Sequence, residues 1–302
     1  MQRIIKKISL ILFCMLIFLS IFDCAPAKAE SYKRIISLAP SITEILYAFG
    51  SGDEIAGVTT YCNYPEEAKT KPKVGGFTNH NIESIILLKP DLVIMTPNRE
   101  AKLTHEKLKQ LRIDALVVPL YRLDDLKTGI VTIGKQIGRE QVAFKLADEI
   151  KKIAEHIQQF DVSGEPKKVA FITWKNPLIL PANGTFEDDV ITLAGGQNIV
   201  KHARARYPQL NIEILFDQNP DVIIDASSYG ADKNFEEQKN KVCNFWNQYP
   251  LLRAVKTSEI YVLKGDFYSI PGPRTIQFMT TMEQILSAMP PQATEFYERV
   301  IC

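Results

Sequence analysis

One stretch of this chain occurs twice, and the duplication limits the folds open to it more than any other feature. Asn81-Ile82-Glu83 is followed by Pro90-Asp91-Leu92-Val93-Ile94. Asn211-Ile212-Glu213 is followed by Pro220-Asp221-Val222-Ile223-Ile224, at a constant offset of 130 residues. Six of the 14 positions in this window are identical, and the closing apolar positions differ only conservatively. Each copy predicts the same local structure. A short amphipathic helix begins near the Glu, whose carboxylate suits the positive end of a helix dipole. The proline stops the helix, and an apolar run of strand character follows. Upstream, Arg34–Leu38 and Lys168–Ile172 match as opening strands. The reading is two copies of one α/β unit.

The rest of the chain fits that plan, and 302 residues suit two domains. Ser41-Ile42-Thr43-Glu44 has the capping-box pattern, with Ser41 as N-cap and Glu44 reaching back. That helix runs to Phe49 and stops at Gly50. Val58–Thr60 and Leu116–Pro119 read as strands, and Asp124–Gly134 as a surface helix. Arg139–Phe160 is the longest helical pattern, with Val142, Leu146, Ile150, Ile153 and Ile157 at helical spacing. It ends in the turn-rich Asp161–Pro166. Ile260–Leu263 reads as a strand, and a final helix runs from about Arg274 to Met289. Alternation of strands and helices implies mainly parallel sheets. The expected fold class is therefore α/β: two lobes, each a mainly parallel sheet flanked by helices, joined by a single long rigid interdomain helix. The expected boundaries are 30–138 for the first lobe, 139–165 for the helix and turn, and 166–302 for the second lobe with its terminal helix.

Residues 1–29 have the pattern of an address. Arg3, Lys6 and Lys7 precede the apolar run Ile8–Phe22, which is too short to cross a bilayer. Ala27-Lys28-Ala29 supplies small residues for cleavage after Ala29, giving a periplasmic protein. A lipoprotein signal at Cys24 fits less well, because Phe22 and Asp23 precede it. Cleavage removes four basic residues and one acidic one, leaving 32 against 34. Such a balance does not suit a phosphate-driven nucleic-acid binder. Cys62, Cys243 and Cys302 remain. The spacing allows a Cys243–Cys302 bridge without requiring one, and free thiols are the preferred reading.

Catalytic signatures are missing. The chain has no G-x-S-x-G elbow, no P-loop, no G-x-G-x-x-G after a strand and no H-E-x-x-H. His80, His105, His156 and His202 share no ligand-like spacing, so no metal site is assigned. Aromatic residues in loops are the informative feature: Tyr61, Phe77, Trp174, Tyr207, Phe267 and Tyr268. Several of these loops belong at the carboxyl ends of parallel strands, where open α/β sheets bind ligands. A cleft lined this way suits a large, planar, partly apolar ligand.

Together Arg34–Gly50, Val58–Pro65, Asn81–Ile94, Thr185–Val200 and Tyr207–Ile224 resemble the class III periplasmic binding proteins. These are the capture components of ABC importers for cobalamin, haem and ferric siderophores. Trp174–Leu178, Gly184–Asp189, Leu193–Asn198 and Tyr207-Pro208-Gln209 look most like the cobalamin branch. Some cobalamin binders have Trp where this chain has Phe77 and Tyr207, and a cysteine where it has Ala194. The resemblance implies a monomeric, non-enzymatic receptor with no prosthetic group. It would bind a corrinoid between the lobes and deliver it to the permease and, through the permease, its ATPase. By motif the ligand positions fall on Pro40, Ser41, Tyr61, Phe77, Trp174, Tyr207, Asp266, Phe267 and Arg274. The permease-docking carboxylates fall on Glu83 and Glu213, which the repeat already singles out. The same role for haem or a ferric siderophore is the alternative. A secreted α/β hydrolase is the other class, and the absent nucleophile motif argues against it.

Overall fold

The computed structural model describes residues 32–159, 165–227, 234–287 and 290–300. The address segment with Cys24 and Ala29, part of the 161–166 turn, Met289 and Cys302 lie outside the described residues. Two main sheets form, one from each copy of the repeat.

The first lobe runs β1 (Ile35–Ser37), α1 (Pro40–Ala48), β2 (Ile55–Val58), α2 (Ile82–Leu87), β3 (Leu92–Met95), α3 (Arg99–Gln110), β4 (Asp114–Val117) and α4 (Leu123–Gln136). Its four strands are all parallel, in the order β2-β1-β3-β4. Every residue of β3 is buried, because helices cover both faces of the sheet.

Next comes α5 (Glu140–Gln159), within a residue of the predicted bounds. It packs on α4 and buries Ala143, Ile150, Ala154 and Ile157. The helix α4 is less of a surface element than its sequence suggested. Leu126, Ile130 and Ile133 are fully buried on its inner face.

The second lobe continues with β5 (Lys168–Ile172), β6 (Trp174–Lys175), β7 (Leu178–Ile179), α6 (Phe186–Leu193), β8 (Gln197–Asn198), β9 (Gln209–Leu210), α7 (Glu213–Gln218) and β10 (Val222–Asp225). It ends with α8 (Phe235–Trp246), α9 (Arg253–Lys256), β11 (Ile260–Leu263), α10 (Thr275–Leu286) and β12 (Tyr297–Val300). The main sheet has the order β12-β11-β10-β5-β8 and is parallel except for β12. A small antiparallel sheet, β6-β7-β9, was not anticipated; its strands are only two residues each, too short to show periodicity. The helix α5 also packs on α6 and α10, so it contacts both lobes.

The duplication extends below the level of sequence. Residues 81–90 and 211–220 share one pattern of burial, position by position. Lys89 and Asn219, also 130 apart, both have left-handed φ, at 46° and 45°. Each releases its helix into the following proline. The carboxylate of Asp91 then accepts from the backbone N–H of Lys33 (2.7 Å) and Arg34 (3.0 Å). That of Asp221 accepts from the backbone N–H of Lys168 at 2.8 Å. The conserved Pro-Asp pair thus fixes the start of the central strand against its neighbour in both lobes.

Candidate functional site

A cleft of about 580 Å³ lies between the lobes. Pro40, Ser41, Tyr61 and Phe77 line it from the first lobe, and Tyr207 and Asp266 from the second. Phe77 sits in the tight turn Gly75–His80. Gly75 has φ +102°, and a Cβ there would come within 2.5 Å of the Asn79 carbonyl oxygen, so only glycine forms this turn. Tyr207 lies 130 residues after Phe77. Each repeat therefore supplies a cleft aromatic six residues before its glutamate.

Three predicted positions do not line the cleft. Phe267 is buried against Tyr268, Phe278 and Phe296, because its neighbour Asp266 takes the cleft-facing direction. Trp174 is 54% exposed on β6, with its indole N–H donating to the Asn176 carbonyl. Arg274 lies behind the cleft. Its Nε donates to Glu44 Oε2 at 3.0 Å, its Nη1 pairs with Asp266 Oδ1 at 2.7 Å, and its guanidinium covers the Tyr64 ring. This also corrects the capping box. The N-cap of α1 is Ala39 with no side-chain cap, Pro40 occupies the first turn, and Glu44 turns inward to meet Arg274 from the other lobe.

Sequence reasoning missed the groups that join the lobes. Asp189 accepts from Arg122 Nε and from the Leu123 backbone N–H at 3.0 Å, at the N-terminus of α4. Beside it the Arg206 guanidinium stacks on the Tyr121 ring, 3.9 Å from the centroid. With Glu44–Arg274, these contacts join the two lobes around the cleft. Among the described residues no group of three or more His, Cys, Asp or Glu is placed to hold a metal. His80 is buried, with Nδ1 on the Thr104 hydroxyl at 3.0 Å. Cys62 and Cys243 are free thiols.

Glu187 is the other group the sequence left unmarked. It is buried in the cleft wall, and its two oxygens share the Tyr207 hydroxyl at 3.0 and 3.2 Å. Burial pushes its carboxyl up to about 7, against the Tyr207 hydrogen bond. A carboxyl raised in the fold favours the protonated folded state. Its stabilisation is full below about pH 4.5 and is lost as pH rises through 7, about 3 kcal/mol in all. Glu187→Gln should therefore flatten the fall in stability between about pH 5 and 7. Thermal melts across that range test this, and an unchanged slope would contradict it.

This architecture, two α/β lobes bridged by a long helix around an aromatic cleft, is that of a receptor that binds and releases a ligand. The chain belongs to the periplasmic binding protein family, whose profile matches residues 35–267. It is a binding protein and not an enzyme. It is 30% identical over 260 residues to the vitamin B12-binding protein of Vibrio cholerae serotype O1, covering 86% of this chain and 91% of that one. The crystal structure of the periplasmic vitamin B12-binding protein BtuF of Vibrio cholerae superposes with a TM-score of 0.72 at 29% identity, over 85% and 97% of the two chains. A periplasmic haem-binding protein from Pseudomonas aeruginosa superposes with a TM-score of 0.74 at 19% identity, over 88% and 97% of the chains, which is a likeness of fold.

Proposed function

We propose that this chain is the exported capture component of an ABC importer, binding cobalamin in its cleft and handing it to the membrane permease. The observation that carries this is the pairing of Phe77 and Tyr207, equivalent aromatics from the two halves of the repeat, on opposite lobes of one cleft. Two such residues with Tyr61 give flat apolar surfaces to a corrin ring and its edges. Asp266, held by Arg274, accepts hydrogen bonds from side-chain amides. Pro40 and Ser41 close the first-lobe wall. The likeness to vitamin B12-binding proteins supports the choice of ligand. The cross-lobe contacts support a nearly preformed cleft, which lowers the ordering cost of binding. Glu83 and Glu213 are the docking carboxylates toward the permease, which couples to its ATPase. The chain works as a monomer, after removal of the address segment behind Ala29.

Calorimetry of the mature protein with cobalamin tests this. A measurable heat of binding is expected. Tyr61→Ala should weaken binding by about 1–3 kcal/mol, as loss of an aromatic stack does elsewhere. No binding at micromolar protein would remove cobalamin as the ligand. Unchanged affinity in the variant would remove Tyr61 from the contact set.

A further inference from the structure

The Arg206 guanidinium is the cleft group whose chemistry remains unused. It is the only cation among the described residues lining the cleft. Its planar head lies over the Tyr121 ring at 3.9 Å, so one residue from each lobe forms a single flat, positively charged wall. The ring is fixed from behind by its side chain, and the arginine by its main chain. The Tyr121 hydroxyl donates to the Pro97 carbonyl, and the Arg206 carbonyl accepts from the Ala182 N–H at 2.7 Å. Stacking uses the face of the guanidinium and leaves its in-plane N–H donors free. Among the described residues no carboxylate or carbonyl takes them, whereas Arg122, Arg139, Arg253, Arg274 and Arg299 each have a carboxylate partner. The negative charges of the cleft do not compete. Asp266 is paired with Arg274, and Glu187 is bound to the Tyr207 hydroxyl.

We propose that Arg206, stacked on Tyr121, recognises an anionic group of the ligand, and that the guest of this cleft carries a phosphodiester or a carboxylate on that side. An oriented guanidinium fork matches either group by two parallel charge-assisted hydrogen bonds. This rests on the reading of the cleft as the ligand site, and it adds a charge requirement to the flat apolar surfaces. Tyr121 acts as a positioning residue, because it holds the fork without touching the anion.

Two ligand pairs separate the sources of the anion. Cobalamin has a phosphodiester that cobinamide lacks, and haem has carboxylates that its dimethyl ester lacks. Binding of all four by wild type, Arg206→Ala, Arg206→Lys and Tyr121→Leu is measured by calorimetry. The expected result is that Arg206→Ala weakens the member of the bound pair that carries the anionic group roughly 10–100-fold, leaves the member that lacks it within about twofold, and is partly rescued by Arg206→Lys. Tyr121→Leu should fall between wild type and Arg206→Ala, again only for the member that carries the anionic group. Equal losses for both members of a pair, or none, would overturn the proposal while leaving the receptor reading intact. Charge-selective loss with haem but no binding of either corrinoid would uphold Arg206 and reject cobalamin. If none of the four binds, both readings fall together.

Discussion

Arg274→Met is expected to destabilise the protein by about 3–5 kcal/mol near neutral pH, the cost of removing one partner of a buried ion pair. The Glu44 and Arg274 side chains are only 2% and 11% exposed, so water cannot replace the lost guanidinium. Two carboxylates are stranded by the one change, because Arg274 also pairs with Asp266 in the cleft wall. Methionine keeps much of the hydrocarbon stem, so the loss reports the charge rather than a cavity. The pH dependence is specific. Burial already pushes the Glu44 carboxyl up to about 7, against the pull of Arg274, and without Arg274 it rises further. A raised carboxyl stabilises the fold below its unfolded value and loses that contribution as pH rises through the folded one. The deficit of the variant should therefore widen as pH climbs past 7, and Glu44→Gln in the same chain should recover part of it. Melts at pH 5 and pH 8.5 decide this. A transition within about 2 °C of wild type at pH 8.5, well under the shift such a loss implies for a chain this long, would mean that the pair does not brace the lobes.

That ion pair also shows where sequence reading stops. The strand starts were legible because a backbone constraint repeats: Pro90 and Pro220 must end a helix, and Asp91 and Asp221 each bind the N–H of the adjacent strand. Tyr61, Phe77 and Tyr207 were legible because an aromatic in a loop after a strand has few places to go in a parallel sheet. Phe267 was misplaced because loop residues do not alternate predictably, and one step separates the cleft from the core. The partners Glu44 and Arg274 stand 230 residues apart, and Arg122 and Asp189 stand 67 apart. No periodicity links such positions, so Glu44 read as a local cap. Arg206 escaped notice because its partner is a ring on the other lobe, and charge counting along a loop does not reveal a stack.

Glu83→Ala combined with Glu213→Ala should abolish ligand uptake while leaving ligand affinity unchanged. Both carboxylates are exposed, and neither lines the cleft. Each stands on the first turn of an equivalent short helix, with Asn81 and Asn211 accepting backbone N–H bonds at the same end. The positive end of each short helix suits a carboxylate at this position. Free in solution these groups contribute little, but in the proposed docking each would be desolvated against a cation of the permease, and truncating one side of such a contact costs about 2–5 kcal/mol. Two sites at the lower figure give roughly a thousandfold in docking, at about 1.4 kcal/mol per factor of ten. The duplicated geometry adds a further condition: each single variant should lose a comparable share. The decisive measurement pairs transport into proteoliposomes carrying the permease and its ATPase with calorimetry of the same variants. Full transport by the double variant would dismiss the docking role. A parallel fall in ligand affinity would place these glutamates in the cleft's own energetics, and a loss confined to one lobe would break the functional equivalence that the repeat implies.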